Sequence, residues 1–292
     1  MSAGSRRKFL IEAAGLGAAA FASSFLARLA NSDPLGGPIG IQLYTVKEAM
    51  QADPAGTLKK LRAIGFSQVE TAGFGKLSAR RFRTLLDDAG LTCPSAHLPF
   101  DASDLGRTFE DAHALGAHYA TSGSLRSPEK RGVSPDEAKR TADLANRIGG
   151  AARRAGLQYA YHNHDAEFAP RDHGVSSYDV LLRETDPDLV KFEVDCGWMI
   201  FAGRNPIVYF EKYPNRFPMI HVKDFLPGAG AGNPGDMRGA ELGTGVVDYK
   251  PIFAAAAKAG LRHYFVEQEG PFARLTPLEA ARVDYDYLHS LG

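Results

Sequence analysis

Eight short apolar runs, at 39–44, 66–71, 91–97, 118–122, 157–162, 189–195, 218–223 and 263–267, alternate along the chain with helical stretches. Each run is rich in apolar or aromatic side chains and short enough to be a buried strand. The intervening stretches carry helix signals: "DPAGTLKKLRAIG" opens on Asp-Pro and closes on Gly, and "SARRFRTLLDDAG" opens on Ser and closes on Gly. Eight strands and eight helices in strict alternation predict a single-domain (β/α)8 TIM barrel. A doubly wound sheet is the competing architecture, but it would place a glycine-rich phosphate turn after its first strand. Here that strand ends in "IQLYT", and the glycine-rich loop, "PGAGAGNPGDMRGAELGTG", follows the seventh.

Composition excludes some partners. The formal net charge is zero and no basic stretch is interleaved with aromatics, so nucleic acid is not an expected partner. Two cysteines, Cys93 and Cys196, fall in different predicted strands and indicate neither a disulfide framework nor a thiolate metal site. The start of the chain reads "SRRKFL" and then "IEAAGLGAAAFASSFLA". A twin arginine before a short Ala/Gly-rich run resembles a twin-arginine export signal. The expectation is a signal segment and linker over 1–37, a barrel over 38–292, engagement of the export machinery, and a periplasmic or extracellular location. The apolar run is short for a membrane span. It has no clean Ala-x-Ala cleavage site, so an uncleaved membrane anchor stays open, as does an amphipathic first helix of the fold.

Barrel chemistry sits where strands end. The first strand ends with Gln42 and Tyr44, the second with Glu70, and the third with His97. The fifth ends in "YHNHDAEF" (161–168), the sixth with Glu193 and Asp195, the seventh with His221, Lys223 and Asp224, and the eighth with Glu267 and Glu269. Asp195, His221 and Glu267 follow apolar strand residues at equivalent heights. Convergent carboxylates and imidazoles without thiolates suit a divalent cation, Mn, Mg, Co or Zn. The bland alternative is a buried ion-pair network that seals the mouth. Lys223 reads either as a group that neutralises a developing oxyanion or as a snorkelling strand-end lysine. Trp198 reads either as an aromatic plate for a sugar or as a core plug. Glu70 reads as a barrel-layer residue.

The segments "FEVDCGW", "HVKDF", "LGTGVVDY" and "YFVEQE" resemble the xylose-isomerase-like TIM-barrel superfamily of sugar phosphate isomerases and epimerases. The resemblance runs from about residue 39 to the C-terminus. It implies a metal held by Glu, Asp, His and Glu from strands five to eight, and Asp195, His221 and Glu267 match the last three. At strand five this chain reads His-Asn-His where the family carries Glu-Asn-His, so His162 is the candidate fourth ligand. Glu167 is its reserve, and His164 would contact substrate. His97 resembles the family's strand-three substrate contact.

The resemblance implies cation-assisted removal of a proton beside a sugar carbonyl, with Glu267 as base. The first expectation is a metal-dependent isomerase or epimerase acting on a non-phosphorylated sugar or keto-sugar, with Glu267, His162 and Lys223 in catalytic roles. The export signal and the lack of a clear phosphate cradle favour an unphosphorylated substrate, "LGTG" being only a weak cradle signal. With an imidazole in place of one ligand carboxylate, lopsided chemistry is the alternative: a lyase or hydrolase of 3-keto-glycosides. A third reading is a secreted sugar-binding barrel without catalysis. A homo-oligomer is compatible with all three.

Overall fold

A computed structural model describes residues 37–101, 104–123, 125, 135–169, 175–228, 238–270, 272 and 274–291. The expected signal segment lies outside the described residues. Eight parallel strands close into a barrel: β1 (Ile39–Gln42), β2 (Gln68–Ala72), β3 (Thr92–His97), β4 (Tyr119–Ser122), β5 (Gln158–His162), β6 (Val190–Asp195), β7 (Met219–Val222) and β8 (His263–Val266). β1 pairs with both β2 and β8, so no sheet edge remains. Every expected strand is present, its ends shifted by a residue or two. Lys223 and Glu267 therefore stand just beyond β7 and β8.

The alternation is looser than the sequence pattern predicts. Two short helices, Lys47–Ala52 and Cys196–Phe201, are added to the strand-connecting ones. The second begins directly on Asp195, whose side chain accepts from the Trp198 N–H and caps it. The expected C-cap glycines hold: Gly90 and Gly116 close their helices in the left-handed region, at φ 69° and 76°. After β7 an antiparallel two-stranded ribbon pairs Asp224–Phe225 with Gly239–Ala240. No helix among the described residues is long and apolar enough to cross a membrane.

The barrel interior is layered. Tyr119, Ala160, Met219 and Phe265 form an apolar floor from four strands. Gly40 leaves room for it, because a Cβ there would meet the Phe265 ring at 2.5 Å. Side chains two residues further along the strands face the same way, one layer higher. That parity carries Thr121, His162, His221 and Glu267 upward from the floor residues, and all of them are buried. The rest of the core lies between strands and outer helices.

Candidate active site

Register brings the ends of β5 to β8 together. Asp195 pairs with His221, His162 with Glu193, and His221 with Phe265 two residues before Glu267. The ligand-type atoms of His162, Asp195, His221 and Glu267 all lie within 4.8 Å of one another, and all four residues are buried. The imidazole Nδ1 of His221 is 3.0 Å from Glu267 Oε2 and 3.9 Å from Asp195 Oδ2. Asp195 Oδ1 accepts from the Trp198 N–H at 2.7 Å, which leaves Oδ2 facing the set.

Two atoms of this set have no hydrogen-bond partner among the described residues: His162 Nδ1 and Asp195 Oδ2. Burying polar atoms unpaired is costly, by about 1–3 kcal/mol each. Neither close neighbour meets hydrogen-bond geometry: His162 Nδ1 is 3.3 Å from Glu193 Oε2, and Asp195 Oδ2 is 3.1 Å from Lys223 Nζ. Two imidazoles, two carboxylates, no thiolate and two unpartnered buried donor atoms fit a divalent cation. Asn163, between the two histidines of "HNH", clamps the loop. Its amide bonds the Asp195 backbone at 3.2 and 3.3 Å, tying the end of β5 to the end of β6.

Beneath this set lies a second layer that the sequence reading left out of the site. Glu193 Oε2 is 2.7 Å from His97 Nε2, 3.2 Å from His221 Nε2 and 3.3 Å from His162 Nδ1. Glu70 Oε2 accepts from Gln42 at 2.8 Å and faces His221 Nε2 at 2.7 Å; its other oxygen accepts a short bond from Ser95. Parity was the available signal. Glu193 precedes Asp195 by two residues and so shares its face, and Glu70 pairs in register with Gln42. His97, Glu193, His162 and His221 form a second convergent group, deeper and richer in nitrogen. His97 belongs to this lower layer and is also the member whose ring reaches the mouth, with 17% of its side chain exposed.

Neighbouring charges and burial set the protonation of the site's residues. Burial works against the charge on His221, but Glu193 and Glu267 outweigh it and hold its pKa well above the usual imidazole range. His162 goes the other way: burial, then the neighbouring His221, pushes it well below that range, so it is a neutral imidazole. Lys223 is buried with Nζ 3.1 Å from Asp195, 2.9 Å from Glu267 and 2.6 Å from Glu269. Burial disfavours its charge, but those three carboxylates raise its pKa and keep it an ammonium. Burial would raise Glu267, but Lys223 and His221 bring it well below the usual carboxylate range.

Other expected residues are placed differently. Glu167 is not in either convergent group. Its oxygens accept from the Tyr161 hydroxyl at 2.8 Å and the His164 N–H at 3.1 Å, so it fixes the loop after β5. His164 stands half-buried with its ring edge-on to His162 at 4.9 Å, beside the mouth. Trp198 is buried among Phe201 and Phe225, with Lys223 Nζ 4.7 Å from its ring centre. It is a plug in the wall and offers no open plate to a sugar. The "LGTG" turn is already filled by protein. Asp224 accepts from the backbone N–H groups of Phe225, Gly243, Gly245, Val246 and Val247 at 2.8–3.2 Å. An anion nest that holds its own carboxylate is not a phosphate cradle. Only glycine fits at Gly245, where a Cβ would lie 2.2 Å from Asp224 Oδ1.

The description "xylose isomerase-like TIM barrel" matches residues 58–290 of the chain. An inosose dehydratase of Lacticaseibacillus casei is 31% identical over 179 residues, 55% of this chain and 56% of its own length. The chain thus spans little more than half the length of that curated relative. A sugar phosphate isomerase/epimerase from Parabacteroides distasonis superposes with a TM-score of 0.71 at 26% identity, covering 87% of this chain and 94% of that one. A xylose isomerase-like TIM barrel protein from Mycobacterium smegmatis, in complex with magnesium, superposes at 0.64 with 19% identity, covering 89% and 97%.

Proposed function

The chain belongs to the xylose isomerase-like TIM barrel family, and we propose that it is a divalent-cation-dependent lyase that eliminates a hydroxyl or glycosidic oxygen from a keto-sugar. The observation that carries this reading is the unequal pair of flanks at the mouth. Glu267 is a carboxylate held ionised, while its partner in the cation set from the fifth strand, His162, is a neutral imidazole rather than the second carboxylate base a symmetrical epimerisation would use. The likeness to inosose dehydratase, a lyase by name, supports the same choice.

His162, Asp195, His221 and Glu267 would hold the cation, and the magnesium in the Mycobacterium smegmatis relative supports one. When bound, the cation draws electron density from the substrate carbonyl and acidifies the neighbouring C–H. Glu267 takes that proton. The electron pair forms the C=C bond as the C–O bond at the next carbon breaks, and the departing oxygen takes up a proton. His97, whose ring is partly exposed, would give it. Lys223 keeps Glu267 ionised and sets it, from 2.9 Å away. Asp224 filling the "LGTG" turn supports an unphosphorylated substrate, and the twin arginine at Arg6–Arg7 supports export of the folded protein.

The isomerase or epimerase reading keeps the same first proton transfer and is supported by the Parabacteroides distasonis likeness. One experiment separates the readings. Metal-reconstituted and chelator-treated protein are given 3-keto-glucosides in deuterium oxide. Absorbance of an unsaturated ketone with release of alcohol or water, lost on chelation, is the expected result. Deuterium incorporation without elimination would replace the lyase by an isomerase. Stoichiometric sugar binding with neither reaction would leave a binding protein.

A further inference from the structure

Lys223 brings a positive charge of its own to the cation set. Its backbone is clamped: the Tyr249 hydroxyl accepts from its N–H and donates to its carbonyl, both at 2.7 Å. The approach of the next element is equally close, since a Cβ on Gly197 would lie 2.7 Å from the Lys223 Cβ. The side chain is buried, and Nζ lies 3.1 Å from Asp195 Oδ2 and 2.9 Å from Glu267 Oε2. Both carboxylates belong to the four residues that converge for a metal. An ammonium settled between them would satisfy their charge and repel a dication from the same oxygens.

A third carboxylate draws the ammonium aside. Lys223 Nζ donates its hydrogen bond to Glu269 Oε1 at 2.6 Å, while Asp195 Oδ2 receives none from it. The Trp198 ring, centred 4.7 Å from Nζ, flanks the ammonium with its face. Glu269 is held in place by its neighbours. The N–H of Gln268 donates to Thr45 Oγ1 at 3.0 Å, and Gly239 of the ribbon packs so closely that a Cβ there would lie 2.7 Å from the Glu269 carbonyl oxygen. Glu269 is also the most exposed of the three carboxylates, its side chain 25% accessible against 8% for Glu267 and 0% for Asp195, so its own charge costs least. One ammonium among three carboxylates leaves two negative charges, which a divalent cation neutralises. Without Glu269 one would remain, and the ammonium would have only the metal-facing oxygens to turn to.

We propose that Glu269 is a positioning residue for cation binding: by taking the Lys223 ammonium it leaves Asp195 and Glu267 to the metal. This rests on the cation set of the proposed function and not on the elimination chemistry.

The test reads metal affinity without substrate. Zinc and manganese are titrated in turn into metal-free protein against a chromogenic chelator. Glu269→Gln should weaken both ions by about 10- to 100-fold, the usual size of losing an outer partner. Glu269→Asp keeps the charge but shortens the reach, and should weaken them as well. Lys223→Met should bind them more tightly than the wild type, and adding Glu269→Gln to it should change the affinity no further. The Asp variant decides independently of how well Lys223→Met folds. Unchanged affinity in Glu269→Gln overturns the proposal. So does a loss in the Gln variant that is absent from the Asp one, which a long-range field would produce. An equal Glu269→Gln loss with and without Lys223 also overturns it. If the wild type binds neither ion, the cation set falls and this proposal with it, whereas cation binding without elimination overturns the lyase reading alone.

Discussion

The Nε2 of His221 lies 2.7 Å from Glu70 Oε2, on the opposite edge of the ring from the Nδ1 that faces Glu267 and Asp195. One imidazole thus joins the two carboxylate layers. A proton on Nε2 donated to Glu70 leaves Nδ1 as the lone pair presented to a cation, the arrangement that fixes tautomer and ring orientation in metal sites.

Glu70→Gln should weaken cation binding by about 10- to 100-fold, the usual size of losing such an outer partner. The amide can present its NH2 to Nε2 and favour the wrong tautomer. Competitive titration of the purified protein with a chromogenic chelator reads the affinity directly. Unchanged affinity in this variant would remove Glu70 from the site.

His162→Ala should lower cation affinity by at least as much, because it deletes a donor atom whose Nδ1 has no other hydrogen-bond partner among the described residues. His162→Glu should retain the cation and shift the product balance from elimination towards reversible proton exchange. It restores a second carboxylate opposite Glu267. Metal content and solvent-deuterium incorporation, measured on the same preparations, test both statements. Full metal and full rate in His162→Ala would place the fourth donor elsewhere.

Lys223→Met should move the acid limb of the rate–pH profile upward. Burial raises the Glu267 pKa, and the Lys223 ammonium at 2.9 Å is the first charge that brings it down. Without it, Glu267 stays protonated to higher pH and the base is lost over that range. The variant should also lose about 3–5 kcal/mol of stability, the cost of leaving buried carboxylates unpaired. A limb that does not move would mean that Lys223 does not govern the base.

Asp284→Asn should flatten the dependence of stability on pH. Asp284, buried in the C-terminal helix, accepts from the Leu242 N–H at 2.7 Å, and its Oδ2 has no hydrogen-bond partner among the described residues. Burial pushes its carboxyl up to about 8. A folded-state pKa above the unfolded value near 4 favours the protonated native state. Its stabilising contribution is therefore complete below pH 4 and lost progressively as pH rises to about 8. The amide has no such loss, so its melting temperature should gain on the wild type across that window, by about 2–4 °C per kcal/mol. Parallel melting curves from pH 5 to 8.5 would refute this if the two proteins tracked each other.

The alternation of apolar runs and capped helices determined the barrel, because eight strand-length segments buried on both faces have few ways to close without an edge. The order of residues at strand ends likewise put His162, Asp195, His221 and Glu267 on one rim, since chain direction alone decides which end of a parallel barrel they reach. Depth and pairing were not legible in the same way. Whether Glu193 and Glu70 lie beneath the rim, whether Glu167 folds into the mouth or into its own 3-10 turn, and whether "LGTG" is an empty nest are settled by register and loop closure. Those depend on contacts between residues far apart in sequence: His221 with Glu70, Lys223 with Glu269, Asp224 with Gly245. A residue's type and spacing tell which groups can meet. Only the closed barrel, with its tilt and its apolar floor, decides which of them do.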